Sequence, residues 1–156
     1  MRPSPPSPRR KAFRLVLLAG GAALLFGYVF LPLRVAGPGM EPAYRSGDLA
    51  FVNAFAFALR EPARGDVVAL SLAGRSVVLL TRVVGLPGEK VGFRSGVLYV
   101  DDEPVPEPWA GARTTWTSAE ALVGPDELFV APDDRSGELA DRGRVRRARI
   151  VGGPLW

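Results

Sequence analysis

The sequence predicts an all-β fold, an antiparallel barrel or sandwich with a small loop-rich insertion, preceded by one transmembrane helix. Three observations carry that reading. A run of 19 uncharged, mostly apolar residues, Leu15 to Leu33, follows a basic N-terminal stretch. Beyond it, short β-branched and aliphatic runs recur between turn-forming residues. The chain of 156 residues also contains 18 glycines and 15 prolines, which disfavour long helices. That length suits one domain with a sizeable core.

The elements follow in chain order. Residues 1–14 are rich in proline and arginine and predict a disordered basic tail. Residues 15–33, at 1.5 Å per residue, span about 28 Å as a helix, close to the hydrocarbon thickness of a bilayer. The basic cluster lies on the N-terminal side, so the positive-inside rule places the N-terminus in the cytoplasm and residues 34–156 outside it, at the cytoplasmic (inner) membrane. A cleaved signal peptide is the competing reading, but its apolar core would be shorter and would end in small residues, whereas this run ends in Tyr28, Phe30 and Leu33. Leu49–Val52, Asp66–Leu70 and Val77–Leu80 read as strands, the last two joined by a turn at Ala73-Gly74-Arg75. Val97–Val100 follows the turn Arg94-Ser95-Gly96 as a hairpin arm. Residues 101–125 read as the loop-rich insertion, and Glu127–Val130 and Ala148–Val151 as late strands.

Composition excludes several chemistries. The chain has no cysteine and no histidine, hence no thiol nucleophile, thiolate metal site or imidazole base. Lys11 and Lys90 are its only lysines. Arg2, Arg9, Arg10, Lys11, Arg14 and Arg34 contribute +6 before the first acid, Glu41, so a net charge of +4 leaves the remainder at −2. The basic balance belongs to the tail, and no nucleic-acid face is expected. No cofactor or metal is expected either.

Four motifs occur in order behind the apolar run. The first is Gly37-Pro38-Gly39-Met40-Glu41-Pro42 with Gly47-Asp48 after it, and the second is Arg64-Gly65-Asp66-Val67-Val68. The third is Thr81-Arg82-Val83-Val84-Gly85-Leu86-Pro87-Gly88-Glu89. The fourth is Pro132-Asp133-Asp134-Arg135 followed by Glu138-Leu139-Ala140-Asp141-Arg142. In order and spacing they resemble the boxes of bacterial type I signal peptidases, membrane-anchored Ser-Lys proteases that trim secretory signal peptides. The resemblance implies that fold, and it implies Met40 and Pro42 as residues shaping a substrate groove. It also implies a serine nucleophile at the position of Gly39 and a lysine general base at that of Thr81. An oxyanion-binding serine would stand at Gly37, and a serine orienting the lysine at Glu138.

None of those side chains is present. Glycine has no oxygen with which to form an acyl-enzyme, and threonine accepts no proton at physiological pH. The resemblance, corrected for these residues, implies a non-catalytic relative that binds exported preproteins, pilus-type subunits or an active signal peptidase. Two alternatives stay open: an active peptidase with a non-standard nucleophile, of which a Ser46–Lys90 dyad is the nearest candidate, and a structural membrane scaffold.

Other residues carry weaker signals. Asp48 and Asp66 form a candidate acid–base pair, although each follows glycine and suits a turn cap. Asp133, Asp134, Glu138 and Asp141 read as a solvated acidic loop paired with Arg135 or Arg142. The cluster Arg142, Arg144, Arg146, Arg147 and Arg149 suits either membrane lipid headgroups or an exposed strand edge. Phe55, Phe57 and Leu59 alternate as one apolar face. Trp109 and Trp116 suit interfacial anchors or loop covers.

Overall fold

The computed structural model describes residues 8–35, 37–73, 77–110, 117–136 and 143–155. One helix, α1 (Pro8–Val29), precedes eleven strands. These are β1 (Phe30–Arg34), β2 (Leu49–Asn53), β3 (Val67–Ala73), β4 (Val77–Gly85), β5 (Lys90–Arg94) and β6 (Val97–Val100). They continue with β7 (Glu103–Pro104), β8 (Ser118–Leu122), β9 (Glu127–Ala131), β10 (Gly143–Arg146) and β11 (Ile150–Pro154). A 3₁₀ turn, Arg147–Arg149, separates the last two. The strands form a seven-stranded sheet in the order β1-β2-β11-β3-β4-β9-β10 and a four-stranded sheet in the order β7-β6-β5-β8. The all-β expectation holds for the domain behind α1.

Alternation places side chains on both faces of the larger sheet. Val35, Met40, Ala50, Val52, Val67 and Leu80 share one buried cluster, and Val68, Leu70, Val83, Leu128 and Val130 share another. A third cluster joins the two sheets, with Val84 and Phe129 meeting Val91, Phe93 and Leu98. The sheets approach so closely at Gly85 that a Cβ there would lie 2.4 Å from Val91. Glycine is the one residue without a Cβ, and this position requires it.

Several boundaries differ from expectation. The expected tail is helical from Pro8, and residues 1–7 lie outside the described residues. The expected span is divided, because α1 ends at Val29 and Phe30–Arg34 pair with β2 as an edge strand. That leaves 15 apolar residues in the helix, about 22 Å long. Among the described residues no helix is long and apolar enough to cross a membrane. Apolar side chains of α1 nonetheless stand uncovered, Leu18 being 71% and Leu24 79% exposed. The expected insertion contains β7 and β8, and β8 completes the smaller sheet against β5. Its alternation was obscured because Ser118, Ala119 and Ala121 carry little hydrophobic signal. Residues 74–76 and 111–116, including part of the expected hairpin turn and Trp116, lie outside the described residues. Of the expected last strand, Ala148 and Arg149 belong to the 3₁₀ turn and pairing begins at Ile150.

Candidate functional site

The first motif forms an excursion between β1 and β2 that its own backbone closes. Val35 N–H donates to the Asp48 carbonyl and Gly47 N–H to the Val35 carbonyl, both at 2.9 Å. Gly47 has φ +91°, in the left-handed region that favours glycine. The Asp48 carboxylate accepts the Arg45 N–H at 3.0 Å, so Asp48 serves the turn. Inside the excursion, Tyr44 N–H donates to the Met40 carbonyl at 2.8 Å, and both side chains sink into the cluster with Val35 and Leu80. Met40 is therefore core, only 2% exposed, whereas Pro42 lies on the surface. Gly37 has φ +79° with open space where a Cβ would stand.

Gly39 touches the Pro132–Asp134 segment, whereas Thr81 pairs with β3. The Gly39 carbonyl accepts the Asp134 N–H at 3.1 Å, and a Cβ on Gly39 would meet Pro132 Cβ at 3.5 Å, an ordinary contact. Thr81 lies on β4 opposite Val68 and shares a face with Val83, so it is enclosed by apolar side chains. Its hydroxyl is buried and has no hydrogen-bond partner among the described residues. Such an apolar enclosure is what would hold a lysine amine neutral, had this position carried one.

The next residue on β4 has the opposite character. Arg82 donates from Nε to Asp133 Oδ1 at 2.7 Å, from Nη2 to Asp133 Oδ2 at 2.5 Å and from Nη1 to the Gly65 carbonyl at 2.7 Å. Burial pushes the Asp133 carboxyl above the usual carboxylate range, and the Arg82 guanidinium pulls in the other direction. A second buried pair adjoins the first. Arg135, 1% exposed, donates from Nη1 to Glu107 Oε2 at 2.7 Å, and its Nη2 also bonds that carboxylate. Arg82 also lies 5.1 Å over the Trp109 ring, and Arg135 4.8 Å over that of Phe93. The acidic loop expected to be solvated is thus corrected. Asp133 is fully buried and pairs with Arg82, while Glu138, Asp141 and Arg142 lie outside the described residues.

The remaining candidates are placed as follows. Ser46 is exposed in the turn before β2, while Lys90 lies on β5 of the smaller sheet. Lys90 pairs with Glu120 and, at 3.6 Å, with Asp102. The hydrogen bond to Glu120, followed by the charge of Asp102, raises its pKa, opposite to what a general base requires. Asp66 accepts the Ala63 N–H at 2.8 Å and pairs with Arg60, again as a turn cap. Phe55, Phe57 and Leu59 form no strand face: Phe57 packs inward beside Ile150, and Leu59 is fully exposed. Trp109 covers Gly65, its ring 3.2 Å from where a Cβ would be. Arg144 and Arg146 occupy edge strand β10, and Arg147 pairs with Glu61 at 2.5 Å.

Sequence reasoning quoted Arg82, Asp133 and Arg135 within the motifs but did not find the two buried ion pairs. The signal available was an arginine inside an otherwise apolar strand sequence, a residue that is rarely buried unless paired. For Glu107, 28 residues from Arg135 in a proline-rich stretch, the sequence held no signal.

Comparisons with known proteins place the chain among relatives. The family model described as "Signal peptidase, peptidase S26" matches residues 9–153. Signal peptidase I S of Bacillus subtilis (strain 168) is 34% identical over 145 residues, covering 84% of this chain and 78% of that protein. Signal peptidase I V of the same strain is 31% identical over 140 residues, covering 80% of this chain and 83% of that protein. A crystal structure of a signal peptidase I from Enterococcus faecalis V583 superposes with a TM-score of 0.46 at 23% identity, over 60% of this chain and 97% of that one. The chain belongs to the signal peptidase, peptidase S26, family.

Proposed function

We propose that this protein is a non-catalytic signal-peptidase-like component of the export pathway, which holds exported signal-peptide or pilin-like segments without cutting them. The carrying observation is the pair Gly39 and Thr81, glycine and a buried hydroxyl where the family mechanism needs a serine and a neutral amine. Neither lysine supplies a substitute: Lys11 lies on α1, and Lys90 is held charged by carboxylates on the other sheet. Loss of a nucleophile or base in comparable hydrolases lowers rates by on the order of 10⁴ to 10⁶. Binding by strand addition needs only backbone groups and shape.

In this reading α1 is seated in the cytoplasmic membrane, with its basic N-terminal flank on the cytoplasmic side and the β domain outside. The uncharged stretch of α1 from Leu15 to Val29, with exposed Leu18 and Leu24, has lipid as its natural cover. Flanking Arg14 and Arg34 would snorkel to the interfaces, which accommodates a span shorter than the bilayer core.

The test uses the purified full chain in detergent with a labelled preprotein. The expected result is saturable binding of the signal-peptide segment with no product, and appearance of product for Gly39→Ser combined with Thr81→Lys. Cleavage by the unaltered chain, or a covalent adduct with a serine-directed inhibitor, would overturn the reading.

A further inference from the structure

We propose that a cavity beside the end of α1 is a seat for one anionic phospholipid, its acyl chain inside and its phosphate on Arg147. The cavity, about 310 Å³, is lined by Ala54, Phe57, Ala58 and Ile150, with Glu61 and Arg147 among its polar wall residues. That volume falls at the lower end of the roughly 300–1,000 Å³ typical of ligand pockets. The site sets an apolar wall of Ala54, Phe57, Ala58 and Ile150 beside a basic group, which suits an amphiphile carrying a negative head.

Three observations identify the occupant as lipid. First, the lining is fastened to the apolar helix, since Ala54 N–H donates to the carbonyl of Val29, the last residue of α1, at 3.0 Å. The cavity therefore opens at the level where the proposed membrane segment ends, and exposed Phe55 and Leu59 belong to the same turn. Second, the Nε of Arg147 is buried without a hydrogen-bond partner among the described residues, a donor that a phosphate oxygen would satisfy. Arg146 and Arg149, exposed on either side of it in the chain, add positive charge at the same level. Third, the group now engaging Arg147 is replaceable. Glu61 is 75% exposed, and an exposed ion pair of this kind holds its partner weakly.

The inference rests on the membrane reading given above, and the experiment separates the two. The full chain, in a neutral detergent, is titrated with phosphatidylglycerol, with phosphatidylcholine and with glycerol phosphate, and bound lipid is counted by native mass spectrometry. The expected result is one phosphatidylglycerol retained per chain in preference to phosphatidylcholine, and no retention of glycerol phosphate. Arg147→Gln should weaken phosphatidylglycerol retention roughly fivefold, the effect of one arginine near a lipid phosphate. Ala58→Trp, at an exposed position, should fill the cavity and abolish retention while leaving the thermal midpoint unchanged. Equal retention of both lipids, retention unaffected by Ala58→Trp, or glycerol phosphate binding as well as lipid would each overturn the proposal. Flotation with neutral vesicles tests the seating of α1 separately, because lipid retention is read in micelles.

Discussion

Thr81 and Arg82 are consecutive on β4, yet they belong to regions in opposite states. Around Arg82, every guanidinium nitrogen has an acceptor, the carboxylate it grips is buried, and an aromatic ring covers it. Around Thr81, a buried hydroxyl lacks a partner among the described residues. The difference separates what the fold requires from what only the reaction requires. A buried ion pair cannot lose one member without stranding the other charge, so the framework resists change. A nucleophile and its base contribute little to stability, and the function proposed above takes Gly39 and Thr81 to stand at those two positions.

The largest effect should come from breaking the framework. Asp133→Ala leaves Arg82 buried and unpaired and should cost about 3–5 kcal/mol in denaturant unfolding of the detergent-solubilised chain. Converting Arg82 and Asp133 together to apolar residues should recover most of that loss, and failure to recover would mean that the pair does more than satisfy itself. Next in size, Gly37→Ser forces a side chain into the left-handed region and should destabilise by about 1–2 kcal/mol. At Thr81 the sign should reverse, because Thr81→Val removes an unpartnered hydroxyl while keeping the β-branched shape. It should stabilise by about 1 kcal/mol in the same measurement, and a loss would reveal a partner for that hydroxyl. Gly39→Ser should change stability by less than about 0.5 kcal/mol, since its Cβ meets only an ordinary contact at Pro132.

The smallest effect concerns the exposed ladder on the smaller sheet, where Lys90 and Arg94 share Asp102 and Glu120. Hydrogen bonds from Lys90 and then Arg94 hold Glu120 below its ordinary range, and those from Arg94 lead in doing the same for Asp102. Depressed carboxylates contribute stability that is present above their unfolded values, near pH 4, and lost as pH falls through the folded ones. Unfolding followed from pH 6 to pH 3 should show that loss, and added salt should shrink it.

Much of this was legible in the residues. Val67-Val68-Ala69-Leu70 and Leu128-Phe129-Val130 announce strands by β-branched and aliphatic content, and Gly47-Asp48 and Gly88 announce turns by the conformations they permit. Gly39 and Thr81 were readable directly within the motifs around them. Other features were not. Phe30-Leu31-Pro32-Leu33 is apolar enough to extend a membrane helix, and only its antiparallel pairing with β2 makes it a strand. The Ser118–Leu122 strand lacks hydrophobic alternation and is recruited by the free edge of β5. The acidic residues of the fourth motif look solvated until the fold presents Arg82 to Asp133 across 51 positions of sequence.

By itself the sequence determined the family, the apolar N-terminal run and the residues that stand at positions 39 and 81, because each is a matter of residue identity and near spacing. Tertiary structure alone decided which charges became internal pairs, that Met40 is core while Pro42 is surface, and where the apolar run stops being helical. Those outcomes depend on partners distant in the chain, and the free energy of burying a charge or a side chain is set by what surrounds it.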